Sequence, residues 1–156
     1  MKKFIYLDID GVLCLGNEIH PKLTQWGYVH RFNHKAVQML NEILEKTEAD
    51  IIISSDWKYH YSLEDFQGIF EWQKVIKGPI DITPSVSKRV IELLEEDRAK
   101  EILEHVDIHK PGRWVAIDDL DLKYWIPEKH FVLTPRFMEG IKQTGKKQEI
   151  INKLTI

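Results

Sequence analysis

The chain has 156 residues, of which 43% are hydrophobic and 30% charged, and its formal net charge is -3. That balance excludes a disordered chain and predicts one soluble globular domain over residues 1–156 with a core of its own. It also excludes an overall basic field of the kind that draws in nucleic acid or anionic membrane, although a local patch escapes such a count. A single cysteine, Cys14, allows no internal disulfide, which fits a reducing compartment. The first apolar run, Phe4 to Leu7, is too short for a secretory segment, and no stretch approaches the length of a membrane span. The expected location is the cytoplasm.

Phe4-Ile5-Tyr6-Leu7 reads as a buried strand of parallel type, closed by Asp8-Ile9-Asp10-Gly11. Cys14 to Phe32 is polar and aromatic and fits no simple element. Asn33 is a plausible cap for a helix whose stripe is Ala36, Val37, Leu40, Ile43 and Leu44. Ala49 to Ile53 is a second strand and ends at Ser54-Ser55-Asp56. Residues 57 to 84 hold Trp57, Tyr59, Tyr61, Phe66, Phe70 and Trp72, and are expected to contain a short helix and an edge strand within 75–82. Val86, Val90, Leu93 and Leu94 form a helical stripe; Ile102, Leu103 and Val106 form another, with Asp97 as its expected cap. Trp114 to Ile117 and His130 to Leu133 are further strands, ending at Asp118-Asp119 and Thr134-Pro135. A closing helix carries Ile150, Ile151 and Leu154 after Gly145. Strands alternating with helices predict an α/β domain with a mainly parallel, doubly wound sheet.

Ligands of such sheets bind beyond the carboxyl ends of the strands. Three of the four strands end there in hydroxyls or carboxylates. Asp8 and Asp10, two residues apart in extended chain, face one side, and carboxylates so close stay ionised only beside a cation. Magnesium suits hard oxygen ligands, and Asp118 and Asp119 are candidates for a third carboxylate. Phosphoryl transfer uses such a set. Asp8 would be the nucleophile, Asp10 the proton donor and later base, Ser54 a hydrogen-bond donor to phosphate, and Arg98 the basic group beside Asp8. Lys100, Lys88 and Arg89 are alternatives to Arg98. Gly11, Ser55 and Lys58 are candidate substrate contacts.

Asp8-Ile9-Asp10-Gly11-Val12-Leu13 after an apolar strand resembles the first motif of the haloacid dehalogenase-like (HAD) superfamily. Ile51-Ile52-Ile53-Ser54 resembles its second motif and Ala116-Ile117-Asp118-Asp119 its fourth. Arg98 sits where the family places its basic third motif. The likeness covers roughly residues 3 to 135. A narrower likeness, to HAD domains of RNA-repair and nucleotide-processing proteins, rests on Ser54-Ser55-Asp56-Trp57-Lys58 and on the run from Trp114 to Asp119. The resemblance implies a Rossmann-like fold and magnesium held by the Asp8 side chain, the Asp10 carbonyl and Asp119, with Asp118 as support or co-ligand; the excursions at 14–32 and 57–84 are too short for a large cap, so the domain is expected to be capless or to carry only minimal cap insertions. It also implies a phosphatase rather than a dehalogenase, because Asp10 supplies an acid that halide displacement does not need. The implied substrate is a phosphomonoester, with a nucleotide or polynucleotide end preferred.

A calcium loop starting at Asp8 fails, since its sixth and twelfth positions are Leu13 and Ile19 instead of Gly and Glu. Ser54 as a plain strand-end turn, Arg98 as a solvated helix charge and Trp57 as an aromatic under a loop are the structural alternatives. His20, His30, His34, His60, His105, His109 and His130 are read as surface or packing residues, and Cys14 as ordinarily buried. A domain that binds phosphorylated ligands without turnover is the alternative class, and the complete set of acids argues against it. Transfer of the phosphoryl group to an acceptor other than water differs only in the second substrate.

Overall fold

The computed structural model describes residues 1–16, 20–86, 94–135 and 138–156. In chain order these form β1 (Lys3–Leu7), β2 (Lys22–Thr24), β3 (Gly27–Val29), α1 (His34–Thr47), β4 (Asp50–Ile53), α2 (Leu63–Trp72), β5 (Asp81–Ile82), α3 (Leu94–His109), β6 (Arg113–Asp118), β7 (Phe131–Leu133) and α4 (Lys146–Thr155). Five strands make one parallel sheet in the order β5-β4-β1-β6-β7. β2 and β3 pair separately as an antiparallel hairpin.

The strands read as unbroken apolar runs because both faces of the sheet are covered. Ile5, Leu7, Ile51, Ile53, Val115 and Ile117 pack on one side with the apolar stripes of α1, α2 and α4. The alternating residues Phe4, Tyr6, Ile52, Trp114 and Ala116 pack on the other with Ala99 and Ile102 of α3. Leu120, Leu122 and Ile126, from the segment after β6, complete that second core. Each fully buried aliphatic side chain contributes about 1.5–3 kcal/mol.

Helix starts follow local chemistry. Asn33 caps α1, its side chain accepting from the Ala36 N–H at 3.0 Å. Ser62 and Asp65 form a reciprocal capping box at α2. Asp97 is not a cap: it lies inside α3, buried, with Leu94 to Glu96 already helical before it. Val90, Leu93's structure, Lys88 and Arg89 lie outside the described residues. His130 closes a 3-10 turn just before β7 rather than opening the strand.

The chain leaves β1 for β4 on one side and later for β6 on the other, so the order of connection reverses around β1. Such a reversal opens a crevice at the strand ends, where side chains from neighbouring strands about 4.8 Å apart converge. No described helix is long and apolar enough to cross a membrane.

Candidate active site

Asp8 follows β1 directly and is buried, its N–H bonded to the Ile117 carbonyl of β6 at 3.1 Å. Asp118 ends β6 and is also buried. Asp119 follows it, and one carboxylate oxygen from each of Asp8, Asp118 and Asp119 lies within 4.8 Å of the other two. The acids predicted at the ends of two distant strands therefore meet.

Arg98 joins them from α3. Its Nη1 is 2.5 Å from Asp118 Oδ2 and 3.4 Å from Asp8 Oδ1, while Nη2 is 3.4 Å from Asp56 Oδ1. Lys100, two residues on, is turned about 200° around the helix and pairs with Glu96 on the solvent side. Burial works against the Arg98 charge, but Asp118 and Asp8 outweigh it and hold the guanidinium protonated. Burial, reinforced by Asp118, pushes the Asp8 carboxyl well above its ordinary range against the pull of Arg98. Burial also pushes Asp118 up to about 6, opposed first by Arg98.

The turn after Asp8 is tight. Leu13 and Cys14 both donate to the Ile9 carbonyl, and Gly11 adopts φ 79°. A Cβ on Gly11 would lie 2.3 Å from Asp119 Oδ2, so this glycine lets the two acidic segments approach. Thr134, after β7, donates its hydroxyl to the Gly11 carbonyl at 3.0 Å and ties a third strand end to the turn. Asp10 leads out of it, exposed, with its Oδ2 accepting from the Trp57 indole N–H at 3.1 Å. Burial of its carboxyl raises the Asp10 pKa, opposed by the Trp57 hydrogen bond and by His30.

Ser54 ends β4, its N–H bonded to the Leu7 carbonyl at 2.9 Å. Its hydroxyl is buried and has no hydrogen-bond partner among the described residues, an uncommon condition for an interior polar atom. Ser55 is engaged locally, capping the 3-10 turn Asp56–Tyr59 through the Trp57 N–H. The side chain of Lys58 is buried as well. Its ammonium lies 2.9 Å from Glu101 Oε1 and 3.1 Å from the Pro84 carbonyl, which fastens the segment after β5 to α3. Cys14 is half-buried, with its thiol 3.7 Å from the Arg31 carbonyl.

Sequence reasoning assigned no role to Asp56 or Thr134, which hold Arg98 and Gly11. The Ser54-Ser55-Asp56 strand end was the signal for the first, and the stop at Thr134-Pro135 for the second.

The donor set fits a hard divalent cation. All three converging ligands are carboxylates, and three negative charges against one guanidinium leave two to be neutralised. A parallel α/β sheet with acids after its central strand and its neighbour, a strand-end serine between helices and a basic group from the helix before the last acid is the layout of a HAD-like domain. The chain belongs to the family described as the HAD domain in Swiss Army Knife RNA repair proteins, whose model matches residues 4–144. No curated protein and no solved structure matches it.

Proposed function

We propose that this protein is a magnesium-dependent phosphomonoester hydrolase working through an aspartyl-phosphate. The observation that carries the reading is the buried Asp8–Asp118–Asp119 triangle with Arg98 against two of its members. Asp8, Asp118 and Asp119, with the Asp10 carbonyl, would hold magnesium, which when bound screens the phosphate charge from the attacking carboxylate.

A carboxylate oxygen of Asp8 attacks phosphorus as the bond to the leaving oxygen breaks. Arg98 fixes the angle of Asp8 through Oδ1 and keeps Asp118 in place on its other side. Asp10 gives its proton to the departing alkoxide, and the burial that raises its pKa works in the direction of holding that proton. Water then attacks phosphorus, Asp10 takes the water proton, and the bond to Asp8 breaks to release phosphate. Ser54 offers a phosphate oxygen a hydroxyl that has no partner among the described residues. Gly11 brings backbone close to the same point. Ser55 and Lys58 act at one remove, shaping the loop that carries Ser54 and Trp57.

The substrate read from this site is a nucleotide or a polynucleotide end. The described segments between β1 and α1 and between β4 and α3 supply a three-residue hairpin pair and one ten-residue helix, not a domain that would enclose a small molecule. The family's link to RNA repair points the same way.

Phosphate release from an aryl phosphate, with magnesium and with chelator, tests the chemistry; 3′- and 5′-phosphorylated oligonucleotides, nucleotides, sugar phosphates and phosphopeptides test the substrate. Activity should need magnesium and vanish in Asp8→Asn. Full turnover in chelator, or in that variant, would refute the mechanism. Preference for sugar phosphates or phosphopeptides would refute the substrate reading alone.

A further inference from the structure

Away from the carboxylate triangle, Asp81, His105 and His109 gather at the edge of the sheet. His105 and His109 are four residues apart on α3 and so share a face. Their rings stack with centroids 4.0 Å apart. The Asp81 Oδ2 on edge strand β5 lies 2.7 Å from His105 Nε2 and 3.6 Å from His109 Nε2. The other oxygen, Oδ1, accepts from the Ile82 N–H at 2.9 Å, which fixes the carboxylate with Oδ2 toward the imidazoles.

We propose that Asp81, His105 and His109 form a second metal site, specific for a zinc-class divalent ion and separate from the phosphohydrolase centre. The ligand atoms of all three lie within 4.8 Å of one another. Bonds of 2.0–2.1 Å in a tetrahedron put ligand atoms about 3.3 Å apart. The Asp81–His109 separation, 3.6 Å, is already close to that; the Asp81–His105 pair, at 2.7 Å, has to open by about 0.6 Å, and the two stacked imidazoles have to tilt toward a common point.

The support around the ligands is of the kind metal sites use. Without metal, His105 Nε2–H donates to Asp81 Oδ2 at 2.7 Å and Nδ1 accepts from Tyr6 Oη at 2.8 Å, buried in the sheet; an ion taking the place of the Nε2 proton would leave Nδ1–H to donate to Tyr6. The Phe4 ring packs edge-on against both imidazoles and holds their angle. His105 is 3% exposed, whereas Asp81 and His109 are 41% and 37% exposed, which gives an ion a way in and leaves room for a water as fourth ligand. Two imidazoles and one carboxylate suit zinc and its neighbours and not magnesium, which prefers an all-oxygen shell. His105 lies seven residues, about 10 Å along the helix, beyond Arg98, so the two sites need not compete.

The inference does not depend on the hydrolase reading, and its test is binding rather than turnover. Zinc chloride is titrated calorimetrically into the tag-free, chelator-stripped chain with magnesium in large excess. One zinc per chain is expected. His109→Gln and, independently, Asp81→Asn should each weaken it at least about 10-fold, while Asp119→Asn should leave it unchanged. Both substituted positions are partly exposed, and thermal melts confirm that each variant folds. No zinc uptake, equal affinity in His109→Gln, or loss of the site in Asp119→Asn would overturn the proposal.

Discussion

Gly11→Ala separates the two things that a glycine can do at this site. The residue sits at φ 79°, where a side chain costs about 1–2 kcal/mol. In a chain of this size that lowers Tm by about 2–8 °C. The added methyl would also stand 2.3 Å from Asp119 Oδ2 and 2.8 Å from its Cβ, against an ordinary contact of 3.4 Å or more, so the Asp119 side chain has to yield by about 1 Å. Magnesium tolerates little departure from octahedral geometry, and the expected result is at least about a 10-fold rise in the magnesium concentration for half-maximal activity. Gly27→Ala is the control. It shares the left-handed backbone, at φ 89°, but an added Cβ there meets nothing within 4 Å among the described residues. It should show the loss in Tm without the change in magnesium requirement. Magnesium titration of phosphate release alongside thermal melts reads both quantities. An unchanged magnesium requirement in Gly11→Ala, or an equal change in Gly27→Ala, would refute the argument that close approach to Asp119 is what this glycine secures.

Ser54→Ala removes a buried hydroxyl that makes no bond among the described residues, so Tm should hold or rise, while kcat/KM falls about 10- to 100-fold for a lost hydrogen bond to a charged phosphate. In metal-free protein, Asp118 binds its proton more tightly folded than unfolded, so its contribution to stability is lost as pH rises through about 6 and regained on acidification toward 4. The gap from the ordinary carboxylate value is worth about 3 kcal/mol at pH 7, and Asp8 acts in the same direction; melts at pH 5 and 7 should show the gain at the lower pH, and magnesium should restore it at pH 7. Trp57→Phe keeps the ring packing but removes the indole donor that opposes the rise in the Asp10 pKa. The alkaline limb of the kcat/KM profile should move up, and a fixed limb would detach Trp57 from the acid.

The parallel sheet was legible because β1, β4 and β6 are covered on both faces and so leave unbroken apolar runs, each halted by the polar residues that line the crevice. The hairpin was not legible. Lys22, Leu23, Gly27 and Tyr28 are exposed, so β2 and β3 carry no alternation to read. Asp97 misled because an acid ahead of an apolar stripe reads as a cap, whereas α3 includes it. Arg98 could be chosen over Lys100 in sequence by its offset from Ile102, since two residues of helix turn a side chain to the opposite face. The partners of Ser55 and Lys58 lie within one turn and 43 residues away respectively, and only the folded chain says that each is engaged. His105 and His109 read as surface or packing residues in sequence, because their third partner, Asp81, comes from an edge strand of two residues and nothing local ties it to them.

The stretch following β6 does two jobs at once. Asp118 accepts from the Leu120 N–H at 3.0 Å, and Leu120, Leu122 and Ile126 then plug the sheet beneath α3. A lineage exploring new substrates therefore has little freedom there, since any insertion would unseat the floor of the molecule together with its acids. The hairpin, whose Leu23 and Tyr28 face solvent, carries no such burden. Diversification should accumulate on that side, leaving the chemistry inherited and the clientele changeable.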